Sequence, residues 1–67
     1  MIVLNGERRE HRAGEVVAAL VASLGLPARA RGVAVAIDGE VVPRAVWESR
    51  AIQEGARVEV LTAMQGG

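Results

Sequence analysis

The spacing of apolar residues changes several times along this chain, and each change marks an element. Met1-Ile2-Val3-Leu4 is a short, nearly continuous apolar run that stops at Asn5-Gly6. That pair suits a tight hairpin, because both central turn positions must accept positive φ. A buried strand over 1–4 is therefore expected to return antiparallel through Glu7-Arg8-Arg9-Glu10-His11-Arg12. Charges on both faces suit a solvent-facing edge strand, and His11 is read as an exposed residue on it. From Glu15 the period changes: Val16, Val17, Leu20, Val21 and Leu24 recur at three- and four-residue spacing, as in an amphipathic helix. Glu15 falls in the expected first turn, where an acid complements the helix dipole, and Gly25-Leu26-Pro27 closes the helix.

Beyond a polar link at 28–32, Val33-Ala34-Val35-Ala36-Ile37 alternates large and small residues, the large ones facing the helix. Asp38-Gly39 is a second primed-turn signal, returning into Glu40-Val41-Val42. Pro43 suits the first position of a short helical turn, which places Trp47 within reach of a buried face. Gln53-Glu54-Gly55 turns the chain into Arg57-Val58-Glu59-Val60-Leu61-Thr62. There Val58, Val60 and Thr62 share one face, while Glu59 and Leu61 share the other. This last strand is apolar and long enough to be central. The order predicts an α+β layer pair, a mixed sheet with one helix across one face, in which the first and last strands would be parallel if placed side by side.

Composition narrows the class. Sixty-seven residues make a single domain that buries about 60% of the surface its unfolded chain exposes. Trp47 is the one aromatic residue, so the core is aliphatic. The absence of cysteine excludes a disulfide framework, a thiolate nucleophile and a thiolate metal site, and a single histidine makes no metal site alone. No apolar run is long enough for a membrane span, and the first residues lack the flank and length of a signal peptide, so a cytoplasmic protein is expected. Eight basic residues balance eight acidic ones without a charged block, which argues against nucleic acid. All eight basic residues are arginine, so no side chain here can accept an isopeptide bond on a lysine amine.

The chemistry narrows to the tail, Thr62-Ala63-Met64-Gln65-Gly66-Gly67. Ser23 and Ser49 are the only serines, and Gly32, Gly39 and Gly55 are isolated turn glycines that form no phosphate loop. The reactive group left is the α-carboxylate of Gly67, ionised at neutral pH and able to attack the α-phosphate of ATP in a partner's site. Glycines lack Cβ, so a narrow channel can close around Gly66 and Gly67. Ordering such a tail loses backbone entropy that docking elsewhere must offset, and Leu61 and Met64 are the candidates for that docking patch. The chain is thus expected to divide into a domain at 1–62 and a flexible tail at 63–67.

In length and element order the whole chain resembles the ThiS family, the sulfur carrier proteins of thiamin thiazole biosynthesis. The resemblance is sharpest in Val33-Ala34-Val35-Ala36-Ile37, in Val41-Val42-Pro43-Arg44 with Trp47, in Gln53-Glu54-Gly55 and in Gly66-Gly67. It implies a ubiquitin-like β-grasp fold and a protein co-substrate with no cofactor of its own. An E1-like adenylyltransferase of the ThiF type would adenylate Gly67. A persulfide donor would convert the adenylate to a thiocarboxylate, and a thiazole synthase of the ThiG type would take the sulfur. Gly66 and Gly67 carry over from the family, with Gln65 beside them in the tail, while Pro43, Arg44 and Trp47 are read as structural. Ala63-Met64-Gln65 is less bulky than the family pattern. The small subunit of molybdopterin synthase, a ubiquitin-like tag joined to amines, and a pure interaction module are the alternatives.

Overall fold

The computed structural model describes residues 1–26 and 32–62. Strands β1 (Ile2–Leu4) and β2 (Glu7–Arg9) form the first hairpin, followed by helix α1 (Val17–Ser23). Strands β3 (Val33–Ile37) and β4 (Glu40–Val41) form the second hairpin. A 3₁₀ turn at Arg44–Val46 then leads to β5 (Arg57–Thr62). The five strands make one sheet in the order β2-β1-β5-β3-β4. β1 and β5 are parallel, and the other neighbours are antiparallel. This is the mixed sheet on a single helix that the β-grasp expectation describes.

One face of the sheet meets the helix in a single aliphatic cluster. Ile2, Leu4, Val35, Ile37, Val58 and Val60 point into it from the strands, and Val17, Leu20 and Val21 from the helix. The period-two and period-3.6 patterns therefore converge on one core.

The helix begins later than its apolar spacing suggests. Val16 is extended, at φ −95° and ψ 163°, and pairs with Ala51 in an isolated antiparallel bridge. Glu15 precedes the helix, contributes no first-turn charge, and accepts the Ile52 N–H at 2.8 Å through its carbonyl. Two of the N–H groups that any helix start leaves open find backbone partners instead of a capping side chain: Val17 donates to the Arg50 carbonyl at 2.9 Å and Ala18 to that of Trp47 at 3.0 Å. The C-terminus follows its sequence signal. Gly25, at φ 80°, donates to Ala22 and Leu26 to Val21, the paired bonds of a Schellman motif.

The segment that caps the helix is itself anchored by Trp47. The indole is buried and donates to the Val42 carbonyl at 2.9 Å, while the Arg44 guanidinium lies 4.5 Å from the ring centroid. Pro43 sits one residue earlier than expected. With φ −60° and ψ 140° it precedes the 3₁₀ turn rather than opening it. Trp47→Ala removes the core's largest side chain and loosens the carbonyls that cap α1. Urea unfolding should show a loss of about 3–5 kcal/mol, and a loss below about 1 kcal/mol would contradict the anchoring role.

Candidate functional site

The site is organised by β5, which runs out of the sheet's centre towards the glycine pair. Its inner side chains, Val58 and Val60, are buried in the core. On the opposite face Leu61 is 63% exposed, and Thr62, on the same side as Val58 and Val60, is exposed at the strand's end. Ala34 lies directly across from Leu61 on β3, and Ala36 lies between Glu59 and Val41. Directly paired residues share a face, so Leu61, Ala34, Ala36 and the 75%-exposed Val41 form a shallow apolar surface beside the exit of β5, with Glu59 among them.

Two turn residues fix the course of β5. Asn5 and Asp38 both adopt positive φ, 50° and 51°, each followed by a glycine, as primed hairpin turns require. That conformation aims both side chains at β5. Asp38 donates its own N–H to the Arg57 carbonyl at 2.8 Å and accepts the Arg57 N–H on Oδ1 at 3.0 Å. Asn5 donates its N–H to the Val58 carbonyl at 2.9 Å. Its side-chain amide accepts the Val60 N–H at 2.9 Å and donates to the Val60 carbonyl at 3.2 Å. The sequence predicted both turns. It carried no signal that their side chains reach a strand 19 and 55 residues away.

Of the residues expected at the site, the structure places Leu61 on the open face, next to the end of β5. Met64, Gln65, Gly66 and Gly67, with the rest of the tail at 63–67, lie outside the described residues. The two serines make local bonds. Ser23 Oγ donates to the Leu20 carbonyl at 2.7 Å and accepts from Arg9 at 2.9 Å, and Ser49 Oγ reaches the Val46 carbonyl at 3.3 Å. Among the described residues, no three of His, Cys, Asp and Glu gather into a metal-binding group. Also among them, no helix is long and apolar enough to cross a membrane.

His11 departs from expectation. β2 ends at Arg9, so His11 lies in the loop that follows, where its side chain is only 3% exposed. Its Nδ1 stands 3.9 Å from Glu54 Oε1 and has no hydrogen-bond partner among the described residues. Beyond β2 the chain turns at Ala13-Gly14 and reaches the Val16–Ala51 bridge, so His11 sits in a connection rather than on a sheet edge. Glu54 also receives a hydrogen bond from the Met1 ammonium, which is the main cause holding its carboxyl below the usual range. A lowered carboxyl pKa stabilises the fold above the ordinary carboxylate range, and that contribution fades as the pH falls through the lowered value. Glu54 is fully solvated, so the effect is small.

Comparison with known proteins gives a consistent set of relatives. The model of the ThiS family matches residues 2–67. A thiazole synthase of Paramagnetospirillum magneticum is 35% identical over 66 residues, covering 98% of this chain. The chain spans only 20% of the length of that curated relative. Among solved structures, the crystal structure of a thiamine biosynthesis protein, ThiS, from Geobacter metallireducens superposes with a TM-score of 0.76 at 29% identity, covering 98% of this chain and 97% of that one. A solution structure of a thiamine biosynthesis protein from the same organism gives 0.78 at 28% identity, covering 98% and 86%.

The Asp38 bond to Arg57 can be removed without disturbing its turn, because glycine accepts the same positive φ. Asp38→Gly should lower the unfolding free energy by about 1–2 kcal/mol, combining the lost bond with the added freedom of the unfolded chain. Asp38→Asn keeps the acceptor and should lose less than half of that. Equal urea midpoints for all three proteins would show that this bond does not hold β5.

Proposed function

The chain belongs to the ThiS family and has its ubiquitin-like β-grasp fold, and from that premise we propose that it is a sulfur carrier for thiazole formation in thiamin biosynthesis. The observation that carries the reading is that the family match runs through Gly66 and Gly67 and takes in the strand that leads to them. In this reading the chain is a protein co-substrate, worked on by partner enzymes in the cytoplasm.

The chemistry begins at the Gly67 α-carboxylate. In the site of an E1-like adenylyltransferase, a carboxylate oxygen attacks the α-phosphate of ATP and pyrophosphate leaves. The resulting acyl-adenylate turns an inert carboxylate into an electrophile with a good leaving group. The terminal sulfur of a persulfide donor then attacks the Gly67 carbonyl carbon and AMP departs. A thiol splits the acyl disulfide so formed, leaving a thiocarboxylate. Without Cβ atoms, Gly66 and Gly67 let the partner's channel close on the backbone and leave the carbonyl open to attack. A thiazole synthase is the acceptor in this scheme, a role supported by the synthase that contains a stretch similar to this chain.

Docking falls to the open face. Leu61, with Ala34, Ala36 and Val41 beside it, supplies an apolar patch at the base of the tail, and Met64 extends it along the sequence. Burying that patch offsets the entropy lost when the tail is ordered in a pocket.

Incubation with ATP, a persulfide donor and the host's adenylyltransferase should replace one oxygen of Gly67 by sulfur, read by intact mass and by mass of the C-terminal fragment. Deleting Gly67 should abolish that change with a stability shift below about 0.5 kcal/mol. A mass that never changes would overturn the proposal. Reductant- and hydroxylamine-stable adducts on other proteins would replace it with the tag reading. Leu61→Ala should raise the KM of the adenylyltransferase for the carrier by about tenfold, with stability changed by less than about 0.5 kcal/mol. An unchanged KM would move docking away from this face.

A further inference from the structure

The strand that presents the tail loses its parallel neighbour before it ends. β1 pairs with β5 at Val3–Arg57 and Leu4–Val58, and then the chain turns away at Asn5-Gly6. Val60 is the next residue whose peptide groups face that vacated side, since β3 takes the other edge. The Asn5 side chain fills the gap. A carboxamide carries one acceptor and one donor side by side, as a peptide group does. Here Oδ1 accepts the Val60 N–H at 2.9 Å while Nδ2 donates to the Val60 carbonyl at 3.2 Å. Of the two amide orientations, only this one satisfies both bonds. Asn5 thus supplies one further strand residue without further strand, two positions before Thr62.

We propose that Asn5 is a positioning residue for the reaction at Gly67: its side chain holds the Val60 end of β5 in the sheet plane and so fixes the direction in which the strand points at Thr62. The inference rests on the sulfur-carrier reading for its functional consequence, while the clasp itself is a property of the fold. An aspartate could hold the turn and accept the Val60 N–H, but its ionised carboxylate could not donate to the carbonyl. A glycine could hold the turn and do neither.

The test uses that series. Asn5→Gly keeps a residue that favours positive φ and removes both bonds to Val60. By hydrogen exchange, the Val60 amide should then exchange about tenfold faster or more, with core amides such as Leu20 far less affected. In the adenylation assay kcat should fall about tenfold while KM, set by the docking face, stays within about twofold, as expected when a bound reactant is misaimed. Asn5→Asp should lie between the variant and the parent in both readouts. A merely destabilised fold would not produce that split between kcat and KM. Unchanged Val60 exchange would overturn the clasp, and faster exchange with unchanged kcat would overturn its role in positioning. If the parent protein itself never gains sulfur, the carrier reading falls, and Val60 exchange alone then decides the clasp.

Discussion

Everything in this domain depends on β5 being held from both sides. It is the middle strand of five, antiparallel to β3 from Val58 to Thr62 and parallel to β1 at its start. A chain this small has one thin aliphatic core, and Val58 and Val60 sit at its centre. The strand that completes the core is also the strand that leads to the glycine pair. Packing of the core and direction of the chain towards its glycine pair therefore fall to the same six residues.

The helix shows the same economy. Seven residues are too few to form a stable helix alone, and α1 lacks a capping side chain at Val16. Its first N–H groups are held by carbonyls of the segment around Trp47 and Arg50, and that segment is held by the indole's bond to Val42. Helix, 3₁₀ turn and second hairpin thus lean on one another. Val42-Pro43-Arg44 and Trp47 supply the wall against which the helix starts.

Local chemistry made much of this legible in the sequence. Asn5-Gly6 and Asp38-Gly39 announce turns because few residue pairs tolerate positive φ, and Gly25 announces a helix end for the same reason. The alternation in 57–62 fixed both the limits of β5 and its faces. What local reasoning missed was long-range. Val16 fits the helical period but joins a bridge to Ala51, so the helix starts later, and Glu15 never reaches its dipole. His11 has the neighbours of an edge strand but lies in the connection between β2 and the Val16–Ala51 bridge, with its side chain buried. Asn5 and Asp38 were readable as turn formers, whereas their bonds to Val60 and Arg57 depend on a strand that arrives only at the far end of the chain.

The parallel pairing of β1 with β5 carries a further consequence for how the protein comes into being. β1 waits beside an empty lane until β5 is made. A nascent chain that stops short of residue 57 has two hairpins and a helix but nothing to join them, and its apolar faces stay open to proteases and chaperones. Translation that completes the central lane also delivers the segment that bears the glycines. Closure of the sheet and arrival at the glycine segment are thereby tied to one strand.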